Sequence, residues 1–170
     1  MGLTMPEKSM LAFVATLLIL MAVIPMAYPY GHFLHLDGSP GVIDGRIPDA
    51  DPLSKAIYLL GDLLCHQQQD RSFIINGSEV AFCMRDTSFM AGVAAGLLIL
   101  AFDKASSYIG KSRPTLVGAV LFATTFAEWT LEAALGIDVP EARIATGVVS
   151  GIGAAFLFRH KVEPMLFPTA

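Results

Sequence analysis

Met10 to Tyr28, MLAFVATLLILMAVIPMAY, decides the class of this fold. The run is apolar, follows Lys8 and is interrupted only by Pro25. It meets the ~20 residues that an α-helix needs to cross a hydrocarbon core. A secretory signal has a shorter apolar core and a small-residue cleavage site, which Ile24-Pro25-Met26-Ala27-Tyr28 does not offer, so an uncleaved spanning helix is expected. Tyr28 and Tyr30 then mark the membrane interface. The whole chain leans the same way: its 170 residues are 54% hydrophobic and 15% charged, against roughly 25% charged in soluble proteins. A net charge of -4 excludes a nucleic-acid partner, because phosphate recognition needs a basic face.

Working outward, three more spans are expected. Thr87 to Phe102 reaches adequate length if it begins near Phe82, Thr115 to Leu135 follows with Pro114 opening it, and Ala142 to Phe158 completes the set after a turn at Gly136 to Pro140. Gly92/Gly96 and Gly147/Gly151 are small-xxx-small pairs that let helices approach closely, within the chain or between copies in a homo-oligomer. The expected fold is an all-α polytopic membrane bundle, a single integral membrane domain over 1–170. It has about four transmembrane helices, near 10–28, 82–102, 115–135 and 142–158, with an interfacial helix and a small hairpin in an outer loop over 29–81.

Within that loop, Asp37-Gly38, Asp44-Gly45, Pro40, Pro48 and Pro52 punctuate an irregular acidic stretch, and its aspartates lack calcium-loop spacing. His32 and His35 read as interfacial side chains. Leu53 to Gln67 is a helical pattern with apolar Leu53, Ile57, Leu59, Leu60, Leu63 and Leu64, broken by Lys55 and Asp62. It is too short and too charged to span, so a helix on the membrane surface, or dipping into it, is expected. Asn76-Gly77 between two β-rich flanks predicts a two-residue hairpin that pairs Ile75 with Ser78 and runs Cys83 back towards Asp70. Asn76-Gly77-Ser78 is also a glycosylation sequon, with an undecorated turn as the default.

The positive-inside rule orients the bundle. Lys8, the Asp103–Arg113 loop with Lys104, Lys111 and Arg113, and the tail with Arg159 and Lys161 share one side, so both termini are expected in the cytoplasm of a multi-pass cell-membrane protein. The polar stretch Cys65 to Asp86, CHQQQDRSFIINGSEVAFCMRD, then faces outward and contains both cysteines of the chain.

That stretch gathers the residues with metal or redox chemistry. Cys65, His66, Cys83 and Asp86 supply sulfur, imidazole and carboxylate, the donor types that zinc accepts in a tetrahedral shell, with three ligands plus water equally allowed. A structural Cys65–Cys83 disulfide, suited to an oxidising exterior, and a redox-active pair stay open beside it. Arg71 and Arg85 answer Asp70, Asp86 or anionic headgroups. Glu128 and Glu132 lie one helical turn apart inside a span, where carboxylates are costly unless paired or wet. They are expected to pair with Arg143, or to handle protons or cations in a polar chamber beside the sulfur site, serving as catalytic groups if the metal activates water. Trp129 reads as an interface anchor.

At Cys65-His66-Gln67, Arg71-Ser72-Phe73 and Cys83-x-Arg85-x-Thr87, closing on Gly92, the chain resembles the predicted membrane proteins grouped as domain of unknown function 2085. That family's pattern is Cys-His-Gln with a nearby Arg-Ser-Phe, then Cys-x-Arg-Cys-Thr-Gly entering a glycine-containing helix. A looser echo falls on Arg143, Gly147 and Gly151. Asp86 stands where the family has a further Cys, and Ser88 where it has Gly. The resemblance implies a metal site and raises that reading above the disulfide. The Asp86 replacement keeps a zinc ligand but weakens the case for a thiolate-rich cluster. No activity comes with the family.

Overall fold

The structure, a computed structural model, describes residues 2–43, 45–102, 114–136 and 139–167. Among the described residues, four helices are long and apolar enough to cross a membrane: Met5–Ala27, Met84–Ala101, Pro114–Leu135 and Pro140–Leu166. The expected membrane bundle of mostly α structure with one small hairpin is therefore the fold. The Asp103–Arg113 loop, with its basic residues, lies outside the described residues, as do Asp44 and parts of the Gly136–Pro140 turn.

The chain forms two compact units, Thr16–Thr87 and Met1–Ala15 with Ser88–Ala170. In the first, α1 (Met5–Ala27) ends at Ala27 and does not continue through His32. Its C-terminal carbonyls have no intrahelical donors, and Asn76 supplies one: its Nδ2 donates to Pro25 O at 3.1 Å and Tyr28 O at 2.9 Å. The sequon asparagine is thus a helix cap. His32 stacks on Tyr28 with ring centroids 4.7 Å apart.

Asp51 caps α2 (Pro52–Leu64), accepting from Leu53 N at 2.9 Å and Ser54 N at 3.2 Å. The burial of α2 runs against soluble expectation. Ser54, Ile57, Tyr58, Gly61 and Asp62 face the core, at spacings that share one side of a helix, while Leu53, Leu59, Leu63 and Leu64 are exposed. A helix that turns leucines outward and polar groups inward suits an apolar solvent on its outer face.

A 3-10 turn at Gln69–Arg71 leads into β1 (Ser72–Ile75), which pairs antiparallel with β2 (Ser78–Cys83). Asn76 and Gly77 both take positive φ, 49° and 69°, as the two-residue turn demands. Ile75 faces Ser78 as expected, but an irregularity between Ser72 and Ile74 brings Cys83 opposite Ser72 rather than Asp70. The cause is extra length on β2 between Glu79 and Cys83, which holds its end back so that it stops short of Asp70 along the partner strand. Every residue of β2 is buried. One neighbour is the 33–36 segment, since Glu79 N donates to Phe33 O at 2.7 Å, and Phe33 stacks on Tyr58 of α2 at 4.1 Å.

In the second unit, α3 (Met84–Ala101), α4 (Pro114–Leu135) and α5 (Pro140–Leu157) pack through small residues, followed by a π-helical turn at Phe158–Val162 and α6 (Glu163–Leu166). A Cβ on Gly92 would overlap the Val148 backbone, one on Gly151 would overlap Phe89, and one on Gly96 would meet Ala155 Cβ at 2.8 Å. These glycines are therefore used for α3–α5 packing within the chain. At the start of α1, Thr4 and Glu7 form a capping box, with Thr4 N donating to Glu7 Oε2 at 2.9 Å and Glu7 N to Thr4 Oγ1 at 3.4 Å. Glu7 also holds Arg159 in an ion pair.

Candidate metal centre

Cys65 is the C-cap residue of α2, its N–H returned to Gly61 O at 2.7 Å, and it leaves the helix in an extended conformation. The residue after His66 turns sharply: Gln67 has φ 44°, and its buried Nε2 donates to Tyr58 O at 3.2 Å and Ala81 O at 2.9 Å. This amide ties the end of α2 to β2 and so sets Cys65 and His66 against Cys83. The acidic loop holds the same turn from outside, with Gly38 N on His66 O at 2.9 Å, Gly41 N on Leu63 O at 2.8 Å and Gln69 N on Asp37 Oδ1 at 3.2 Å. Asp37-Gly38 is therefore a strap on the site as well as a turn.

The ligand atoms of Cys65, His66 and Cys83 lie within 4.8 Å of one another. Donors about 2.0–2.3 Å from a tetrahedral zinc stand roughly 3.3–3.8 Å apart, so the cluster needs closure by about one ångström. Cys65 is 2% and Cys83 5% exposed, and His66 is half-buried. Both cysteines are free thiols. Asp86, in the first turn of α3, reaches the group through Cys83, its Oδ2 being 3.2 Å from Cys83 Sγ.

The two sulfurs are electrostatically unequal. Cys65 is lowered from the ordinary thiol value because the Cys83 thiol donates to its sulfur, and the Cys83 backbone N–H adds to this at 3.3 Å. Cys83 is raised, first by that same hydrogen bond, then by burial and the nearby Asp86 carboxylate. His66 Nδ1 accepts from Gln68 N at 3.2 Å. Ligation through either ring nitrogen would break that bond: at Nδ1 the metal replaces the donor, and at Nε2 the ring proton must move to Nδ1.

Arg71 closes the 3-10 turn and Arg85 lies in the first turn of α3, both half-buried. Glu132 is paired with Arg143, whose side chain is 3% exposed. Glu128 and Glu132 line a cavity with residues of α4 and α5. They belong to the unit that contains Ser88–Ala170, whereas Cys65, His66, Cys83, Arg85 and Asp86 belong to Thr16–Thr87.

Sequence reasoning passed over several residues. Glu79 is buried in β2, its Oε1 accepts from His35 N at 2.8 Å, and burial raises its carboxyl above the ordinary value. Nothing local to the Ser-Glu-Val context announces this. Gln67 and the capping box Thr4-Met5-Pro6-Glu7 did carry local signals, the first as a polar residue after the α2 pattern and the second by its spacing.

Asp51 supports a pH prediction. The Ser54 hydroxyl, then the Tyr28 hydroxyl, hold its carboxyl well below the ordinary value of 3.8, with O···O distances of 2.5 and 2.6 Å. A depressed carboxyl stabilises the fold above its unfolded pKa and loses that contribution as pH falls. The melting temperature of the wild type is expected to drop below pH about 4 more steeply than that of Asp51→Asn, which keeps a capping oxygen but no charge. Parallel melting curves from pH 6 to pH 3, on the order of half-unit steps, would check this.

A family model described as predicted membrane protein (DUF2085) matches residues 65–157, more than half of the chain. An uncharacterised protein of Methanocaldococcus jannaschii is 38% identical over 52 residues, which are 31% of this chain and 33% of that relative. The aligned part thus spans about a third of the relative's length. No solved structure matches.

Proposed function

The chain belongs to the DUF2085 family of predicted membrane proteins, and we propose that it binds a zinc-like divalent ion between Cys65, His66 and Cys83, with Asp86 as a fourth donor. One observation carries this reading: three soft and borderline ligand atoms lie within 4.8 Å of one another, with both cysteines buried and His66 half-buried. Sulfur and imidazole together favour zinc over magnesium or calcium, which take oxygen ligands. If Asp86 binds, the shell is closed and the ion is structural. If Asp86 stays on Cys83, one position is open, and a bound zinc would supply a water of lowered pKa. Gln67, Asp37 and Gly38 hold the ligands in register by the hydrogen bonds above.

We place this site on the outer face, with both termini in the cytoplasm. Lys8, Arg159 and Lys161 favour that orientation by the positive-inside rule, and the outward leucines of α2 suit a helix lying in the membrane interface beside the site. Labelling of single introduced cysteines from either side of intact cells checks the orientation. Labelling of a Gly2→Cys terminus from outside would reverse it.

Metal analysis of the purified chain, with thiol counting before and after reduction, tests the centre. About one zinc per chain is expected, falling at least tenfold in Cys83→Ser, because losing one of three or four ligands removes much of the chelate. The second reading, a Cys65–Cys83 disulfide that staples the outer segment of a non-catalytic membrane protein, rests on the same proximity of the two sulfurs. A chain without metal and without free thiols would replace the first reading by the second.

A further inference from the structure

Glu79 is a buried carboxyl outside the Cys/His group. It is 0% exposed, in a strand whose every residue is buried. Its Oε1 accepts from His35 N at 2.8 Å, while its Oε2 is buried without a hydrogen-bond partner. Leaving one oxygen of a carboxyl unserved away from water is costly, and the cost falls most heavily on the charged form.

The segment bonded to this side chain is 33–38, which contains no helix or strand. Phe33 and Leu36 are buried, and Phe33 O accepts from Glu79 N at 2.7 Å. His35 takes φ 60°, a conformation that a non-glycine residue keeps only where its surroundings fix it. The far end of the same segment reaches the candidate centre, with Gly38 N on His66 O at 2.9 Å and Gln69 N on Asp37 Oδ1 at 3.2 Å. Glu79 thus anchors one end of a strap whose other end holds the turn after Cys65.

We propose that Glu79 is a protonation-operated latch on this strap: neutral, it keeps the 33–38 segment seated on the turn that carries Cys65 and His66, and ionised, it releases the segment and opens that turn to solvent. The latch belongs to the strap and does not depend on what Cys65 and Cys83 hold. The titratable groups around it are His35 and Asp37 on the strap itself and Tyr58 on α2, whose hydroxyl donates to Glu79 O at 2.6 Å. Asp62 shares the inner side of α2, and β1 places Ile74 opposite. Burial holds the Glu79 carboxyl above its ordinary 4.5 against the hydrogen bond from His35 N, and the Asp37 carboxylate adds to the rise. A raised carboxyl stabilises the closed strap below 4.5 and loses that contribution as pH rises through its folded value. The proton leaves to solvent, and the carboxylate left behind repels Asp37, so the repulsion acts on the strap.

Hydrogen exchange of the full chain in a nonionic detergent tests the latch. Protection is read relative to the unfolded chain, which cancels the intrinsic pH dependence of exchange, from pH 4.5 to about pH 9, the upper reach of buried glutamates. Wild-type protection over 33–38 is expected to fall at least about tenfold across this range while that of residues 80–82 stays, because the opening is local. Glu79→Gln, which keeps an acceptor for His35 N and carries no charge, should hold the low-pH protection throughout. If that variant does not fold, Asp37→Asn decides: without the neighbouring charge, the loss should be smaller and complete at a lower pH. Protection of 33–38 that does not change with pH, an equal loss over 80–82, or a wild-type loss persisting in Glu79→Gln or unaltered in Asp37→Asn would overturn the proposal.

Discussion

Arg159→Met is expected to lower the stability of the protein by about 3–5 kcal/mol, the range for removing one partner of a buried ion pair. Glu7 is 0% exposed. Arg159 meets it with two nitrogens, Nε on Oε1 and Nη2 on Oε2, the latter at 2.7 Å. Its Nη1 donates to Leu100 O at 2.8 Å, a carbonyl in the last turn of α3, where helices run out of N–H donors. Removing the guanidinium therefore encloses an uncompensated carboxylate and leaves a helix-end carbonyl without that donor. The double variant Glu7→Gln/Arg159→Met removes the charge as well and should recover more than half of the loss. Thermal unfolding of the wild type, both single variants and the double variant closes the cycle. A double variant as unstable as Arg159→Met would rule out charge burial as the cause.

Gly61→Ala is expected to destroy zinc retention and to destabilise the Thr16–Thr87 unit by roughly 1–3 kcal/mol or more, the cost of overpacking a site that cannot relax. A Cβ at this position would overlap the Ala81 carbonyl and stand 2.7 Å from Gln67 Nε2. Ala81 lies in the strand that ends at Cys83, and Gln67 closes the turn that carries Cys65 and His66. The added methyl group thus presses on the hydrogen bond that joins the two halves of the site. Gly2→Ala, where a Cβ meets nothing within 4 Å, serves as the control. Zinc content per chain, measured on both variants beside the wild type, is expected to fall at least about tenfold in Gly61→Ala alone, since even small misplacement of ligands weakens a metal site. Wild-type zinc content in Gly61→Ala would sink the account of Gly61 as the spacer of the site.

The spans were legible in the sequence because crossing a membrane is a requirement on length and apolarity, both local properties. Met10–Tyr28 needed no partner to be read, and the helix over it runs Met5–Ala27. The hairpin was legible at Asn76-Gly77 because positive φ at both turn positions suits few other dipeptides. Its far end was misjudged. Counting back from Ile75–Ser78 leads to Asp70, but the irregularity in the ladder puts Ser72 opposite Cys83. Such extra residues have no reliable local signal. The outward leucines of α2 agree with the membrane-surface helix expected there, but which residues take the inner side, Ser54, Tyr58 and Asp62 among them, was not legible from the leucine-rich run.

Around the candidate centre the division is sharper. Cys65, His66 and Cys83 stood out by chemical type, and Asp86 by its spacing from Cys83. The contacts of Gln67, Asp37 and Glu79 did not, because each acts on a segment distant in the chain: Ala81 for Gln67, Gln69 for Asp37 and His35 for Glu79. A polar residue in a loop looks solvated until a partner is brought to it.

By itself, then, the sequence determined that this chain spans a membrane, roughly where its helices run, and which residues have metal-binding chemistry, since these follow from side-chain hydrophobicity, run length and donor type. Tertiary structure alone decided that Cys65, His66 and Cys83 converge, that Gly61 and Gln67 space them, that Ser54, Tyr58 and Asp62 take the inner side of α2, and that Glu7 and Arg159 meet across the length of the chain. The physical reason is that a buried polar or charged group must find its partner wherever the fold delivers one, and that location is not encoded in the neighbouring residues.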